Sequence, residues 1–177
     1  MVFYTYLKNP LILSDTGNSS GYYHFINASG YTQSWGLETF FKFGFYDFVL
    51  FAGYTYTDAT NTFNGKPQEF TLTPRHSLKG DLLYSLPGQW RIGVDYEYKS
   101  SQLLASGQRT PEYWTFGAVA ERTIRNFVLF GNVENFTNVR QTNYGSLASG
   151  PFNTPQFTEV WAPLDGFVFN AGLKVRL

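Results

Sequence analysis

The chain has 177 residues, enough for one domain with a sizeable buried surface. Its 13 basic and 13 acidic side chains cancel, so charge gives no reason to expect nucleic acid or an acidic substrate as partner. There is no cysteine, which excludes disulfides and thiolate metal sites. Aromatic residues make up 20% of the chain, yet mean hydropathy is only −0.24. No run approaches the roughly 18–20 apolar residues of a transmembrane helix; FVLFAGY at 48–54 is the best on offer. The first residues, MVFYTYLKNP, lack a basic region followed by an apolar core. The expectation is a protein not exported by itself, or a piece of a longer chain.

The pattern along the chain is of strands. A first strand is expected over 2–8 and is stopped by Asn9-Pro10. A polar loop follows, then a long extended segment from Tyr22 with a bulge near Gly30, continuing through SWGLETFFKF. In it Trp35, Leu37, Phe41 and Phe43 share one face, opposite Ser34, Gly36, Glu38 and Lys42. After a short turn at 44–47, the strand 48–58 places Phe48, Leu50, Ala52, Tyr54 and Tyr56 together. Residues 60–74 read as a long loop, rich in Asn, Gly and Pro. Strand 75–86 alternates Leu78, Leu82, Tyr84 and Leu86 with Ser77, Lys79, Asp81 and Ser85, and Pro87-Gly88 makes a tight turn. The next strand has the cleanest pattern: Trp90, Ile92, Val94, Tyr96 and Tyr98 against Arg91, Asp95, Glu97 and Lys99. A loop over 100–111, a strand over 112–123, a turn at 124–126 and a strand over 127–136 follow. A loop over 137–165 leads to a last strand, GFVFNAGLKVRL, in which Phe167, Phe169, Ala171, Leu173, Val175 and Leu177 form one face and Val168, Asn170, Gly172, Lys174 and Arg176 the other. That makes about eight strands in one domain, 1–177, with no helical period.

Alternation does not say which face is inside. In a soluble lipocalin-like barrel the apolar side chains point inward; in an outer-membrane barrel they point to lipid. Tight turns (44–47, 87–88, 124–126) alternate with long loops (10–20, 60–74, 100–111, 137–165), as periplasmic turns and extracellular loops do. Trp35, Tyr56, Tyr84, Trp90, Tyr98 and Trp114 sit towards strand ends, where interfacial girdles belong. The charged face suits a wet lumen. The reading is an all-β, antiparallel up-and-down transmembrane β-barrel meander in the bacterial outer membrane, with outer-membrane lipid as its surroundings.

Three stretches carry a family resemblance. WGLETFFKF at 35–43, NVENFTNVRQT at 132–142 and APLDGFVFNAGLKVRL at 162–177 resemble, in order and spacing, strands of TonB-dependent outer-membrane receptors, the last as written in Bacteroidetes members. The resemblance implies a transporter for a scarce, bulky ligand such as an iron–siderophore complex or cobalamin, driven by the TonB complex. It further implies that these strands belong to a larger barrel of 22 strands, and that the plug domain, the TonB-binding segment through which the TonB complex would act, and the export signal lie elsewhere. The family's usual terminal Phe is replaced by Leu177. Two alternatives stay open: a complete eight-stranded outer-membrane barrel, structural or lipid-modifying, and a soluble ligand-binding barrel.

Within this reading Phe167, Phe169, Leu173, Val175 and Leu177 are expected to form an assembly signal for the barrel-insertion machinery, a role compatible with an ordinary closing strand. Loop aromatics Phe63, Phe70, Phe152, Phe157 and Trp161 are candidates for contacting a small-molecule ligand at the external mouth, although packing among the loops explains them equally well. Lys79, Asp81, Arg91, Asp95, Glu97, Lys99 and Glu121 could line a permeation path, but pairing across neighbouring strands is the favoured role. His24 and His76 have no identifiable catalytic partner. No enzyme activity, cofactor, metal or nucleic-acid partner is expected.

Overall fold

The computed structural model describes residues 1–13, 23–63 and 65–176. In chain order the strands are β1 (Val2–Lys8), β2 (Leu11–Leu13), β3 (Phe25–Asn27), β4 (Gly30–Phe45), β5 (Phe48–Phe63), β6 (Lys66–Glu69), β7 (His76–Leu86), β8 (Trp90–Lys99), β9 (Tyr113–Ile124), β10 (Phe127–Glu134), β11 (Ala148–Ser149), β12 (Gln156–Phe157) and β13 (Val168–Val175). Eight of them form one antiparallel path, β1-β4-β5-β7-β8-β9-β10-β13, with β6 added on β5. Each strand pairs with the next along the path, which is the expected meander.

Register explains why the faces stay separate. Tyr4 lies opposite Trp35, Leu37 opposite Tyr56, Tyr56 opposite His76, Tyr84 opposite Ile92, and Ile92 opposite Ala120. Leu129 pairs with both Arg122 and Leu173. Paired residues share a face, so one apolar surface runs across all eight strands, from Val2 to Val175. The tight turns permit this register. Tyr46 and Arg125 adopt positive φ (50° and 53°) in the two-residue turns Tyr46-Asp47 and Arg125-Asn126, and Gly88 (φ 71°) serves the third.

The apolar surface ends in aromatic rows. Phe48 and Tyr84 (ring centroids 4.9 Å apart) lie at the turn end, with Trp90 beneath the Arg122 guanidinium at 4.8 Å. Trp35 and Tyr56 (5.4 Å), and Tyr98 and Trp114 (4.8 Å), lie at the loop end. Phe48 and Tyr56 are eight residues apart on β5, roughly 26 Å along the strand. That is comparable to the apolar band of an outer-membrane barrel, about 25 Å tall. Among the described residues this surface stays largely exposed. Among the described hydrophobic residues only Ala28, Tyr113, Val128 and Ala162 are buried. A soluble barrel would enclose its apolar face; here that face is open, so the lipocalin-like alternative is not the fold found.

Four expectations are corrected. Residues 60–63 continue β5, and β6 folds back on them, so the loop over 60–74 is mostly a hairpin extension. Beyond Tyr56 both faces are polar and alternation vanishes, while the Thr-rich sequence keeps its β preference. Gly30 is the first residue of β4 and not a bulge within a longer strand. The preceding segment forms a separate hairpin, with Leu13 opposite Phe25; Tyr22 itself lies outside the described residues. Finally, no ladder joins β1 to β13 among the described residues, so the sheet is open and is not a complete eight-stranded barrel.

The two faces should respond differently to charge. Leu82→Arg, in the middle of the apolar surface, is expected to cost about 2–4 kcal/mol in denaturant unfolding from lipid vesicles. Thr115→Arg on the opposite face is expected to cost less than about 1 kcal/mol.

Candidate functional site

The loop end is built by backbone-satisfying side chains. At the exit of β10, Asn135 and Asn138 take positive φ (47° and 55°), a conformation Asn tolerates well. The Asn135 amide donates to the carbonyls of Val139 (2.7 Å) and Asp165 (3.1 Å), and its Oδ1 accepts from the Val139 N–H (3.0 Å). Asn138 Oδ1 accepts from the Phe167 N–H at 3.1 Å. The NVENFTNVR stretch therefore aims the chain into β13 across a gap of nearly thirty residues.

Gln141 performs a similar task within the last loop. It is 4% exposed and sits in the short 3-10 turn Gln141–Asn143. Its amide donates to the Glu159 carbonyl (2.7 Å), and its Oε1 accepts from the N–H groups of Trp161 (2.8 Å) and Ala162 (3.3 Å). Trp161 is thereby held between Tyr113, whose hydroxyl donates to its carbonyl at 3.0 Å, and Tyr144, with ring centroids 5.3 Å apart. No sequence reading singled out Gln141; the only available signal was a polar residue amid the resembling NVRQT letters.

Other contacts join three loops into one layer. The Glu69 carboxylate meets Arg109, and Arg75 at 3.9 Å. Leu72 N–H donates to the Leu103 carbonyl (2.9 Å), and Ala105 N–H to the Glu159 carboxylate (2.7 Å).

The five loop aromatics do not come together. Phe63 ends β5 opposite Gly30 and Lys66, and Phe70 is half-buried, its N–H donating to the Ala59 carbonyl at 3.0 Å. Phe152 is fully exposed in the connection between β11 and β12, and Phe157 is 78% exposed on β12. Trp161 is packed as described. Among the described residues no ring contact joins any two of the five. Phe169, Leu173 and Val175 lie on the apolar face of β13, opposite Val133, Leu129 and Phe127. Phe167 precedes that strand, and Leu177 lies outside the described residues. His76 stands in the loop-end aromatic row, its Nδ1 2.8 Å from the Tyr54 hydroxyl.

The polar face pairs only some of its charges. Arg91 lies 3.9 Å from Glu121, and Lys99 3.3 Å from Glu97. Lys79, directly across from Glu97, instead leans over the Phe40 ring at 5.7 Å, and Lys42 lies 5.1 Å from the Phe51 ring centre. Asp81 and Asp95 face each other across the β7–β8 ladder, and neither makes an ion pair with a described residue. The favoured pairing across strands thus holds for Arg91 with Glu121, and not for this group of four.

Comparisons with known proteins agree with this architecture. The family model described as "TonB dependent receptor-like, beta-barrel" matches residues 2–136. No curated protein sequence matches the chain. Among solved structures it is similar to the FrpB iron transporter from Neisseria meningitidis, with a TM-score of 0.64 and 15% identity over 97% of this chain. It is also similar to the ferric-catecholate import receptor Fiu from K12 E. coli in its closed form, with a TM-score of 0.57 and 22% identity over 78% of this chain. The chain spans 28% and 20% of those two proteins. At these identities the likeness is one of fold.

Gln141→Leu leaves three backbone groups of 159–162 without partners, a local loss of about 1–3 kcal/mol. Hydrogen exchange is expected to accelerate at Trp161 and Ala162 while β8 and β9 remain protected.

Proposed function

Since the chain belongs to the TonB dependent receptor-like β-barrel family, we propose that residues 1–177 form one section of the wall of a larger outer-membrane receptor. The observation that carries this reading is the open eight-stranded sheet. Its apolar face suits lipid, its other face is largely polar, and the free edges of β1 and β13 offer unpaired backbone groups to further strands. Such edges are a liability unless covered, and a larger wall covers them.

In this reading the turns at 46–47, 88 and 125–126 face the periplasm, and the tied loop layer faces outward. The loops would meet a scarce, bulky ligand, of which an iron–siderophore complex and cobalamin are the two classes considered. The receptor role is transport, with no chemistry performed on the ligand. Energy would come from the TonB complex through parts of the receptor other than these strands. The apolar side chains of β13, Phe169, Leu173 and Val175, together with Phe167 and Leu177, would serve as the signal read by the insertion machinery.

Deleting the gene in its own host and following labelled ferric siderophore and labelled cyanocobalamin tests this. Uptake of one ligand is expected to fall to background in the deletion strain, and to fall equally in parent cells treated with a protonophore. The chain should fractionate with outer membranes. Unchanged uptake of both ligands together with recovery in the soluble fraction would overturn the reading.

A further inference from the structure

The apolar face is interrupted by a single guanidinium. Along its ladders, from the turns up to the row of Tyr56 and Trp114, Arg122 is the one Asp, Glu, Lys or Arg among the described residues. It stands on β9, opposite Trp90 of β8 and Leu129 of β10.

Arg122 has no carboxylate to answer its charge, since it makes no ion pair with a described residue. Its Nη1 lies 3.5 Å from the Gln89 Oε1, the long limit of a hydrogen bond, and its Cζ lies 4.8 Å from the Trp90 ring centre. A guanidinium carries five N–H donors, so one long contact leaves most of them for another acceptor. Glu121, next in sequence, projects to the opposite face and lies 3.9 Å from Arg91.

Depth narrows what that acceptor is. Two residues nearer the turn, Ile124 and Phe127 form the last apolar pair of β9 and β10, and both are exposed. Arg122 therefore sits about 7 Å along the strand inside the apolar edge. A charge there is costly on a lipid-facing wall without a counter-charge, yet the long side chain can carry its head to the membrane surface. Arg125 is exposed in the turn just beyond Ile124 and Phe127, and makes no ion pair with a described residue either. Arg176 borders the same turn, its N–H donating to the Asn126 carbonyl at 2.8 Å.

We propose that the turn end of β9 and β10 holds the headgroup of an anionic phospholipid, of the phosphatidylglycerol type. The phosphodiester accepts N–H bonds from the fork of Arg122, whose flat face stays against Trp90, and meets Arg125 at the membrane surface. The acyl chains lie along Ile124, Phe127 and Leu129. A zwitterionic lipid brings its own ammonium to the same arginines and fits less well. The inference rests on the reading that the apolar face meets lipid.

The test uses the full chain as encoded, purified in a non-ionic detergent. It is mixed with equimolar dioleoylphosphatidylglycerol and dioleoylphosphatidylcholine, and the retained lipid is counted by native mass spectrometry. Phosphatidylglycerol is expected to exceed phosphatidylcholine at least about fivefold, falling to near parity in the Arg122→Gln/Arg125→Gln double variant. Arg125→Gln alone, a turn substitution, should lower the ratio at least about twofold, which keeps the test open should the double variant not fold. Arg75→Gln removes a charge at the loop end and should leave the ratio unchanged. Parity in the parent chain, or an undiminished ratio in the Arg122 and Arg125 variants, overturns the proposal. Residues 1–177 hold no cysteine, so Leu82→Cys and Thr115→Cys, compared with the unsubstituted chain, report separately on the lipid reading. A membrane-impermeant maleimide should label only Thr115→Cys in vesicles opened to both sides. If Leu82→Cys is labelled, the lipid reading itself fails; if it is protected and the ratio is at parity, only the headgroup site fails.

Discussion

The structure depends on parity. A strand turns successive side chains to opposite faces, so a slip of one residue in any ladder would carry the apolar set of that strand to the wrong side. Here each ladder of the main path keeps the same parity, and the two-residue turns at Tyr46-Asp47 and Arg125-Asn126 leave little freedom to change it. A single-layer sheet has no interior to correct an error by packing. The bilayer takes the place of a core: it rewards one parity uniformly over eight strands, which is why side chains as far apart in sequence as Val2 and Val175 lie on one surface.

That constraint also governs what could be read from the letters. Strand β8 was legible because Trp90, Ile92, Val94, Tyr96 and Tyr98 alternate with charged residues or glycine over the whole crossing. Above Tyr56 the contrast ends, since Asp58, Thr60 and Thr62 on one face oppose Thr57, Ala59 and Asn61 on the other. There β5 leaves the apolar band, and periodicity carries no information about a strand that is wet on both sides.

The loop layer was illegible for a different reason. Its ties join residues distant in sequence: Glu69 with Arg109, Tyr113 with Trp161, Asn135 with Asp165. Asn135 also matches a glycosylation sequon, a pattern unrelated to its role as a turn clamp. The placing of Lys79 on the polar face was hidden likewise. Lys79 could be placed opposite Glu97 from register alone, but its choice of Phe40 follows from the empty space at Gly53 and from Lys99 having already taken the carboxylate.

The extension of β4 and β5 beyond the aromatic row has a mechanical meaning. Each strand is 16 residues long, whereas the apolar span from Phe48 to Tyr56 uses little more than half of that. The remainder is a stiff hydrogen-bonded mast, braced by β6 and tied through Glu69 to Arg75 at the foot of β7. Over these additional residues a tilt of the wall by a few degrees would carry the mast head further sideways than any point within the apolar band.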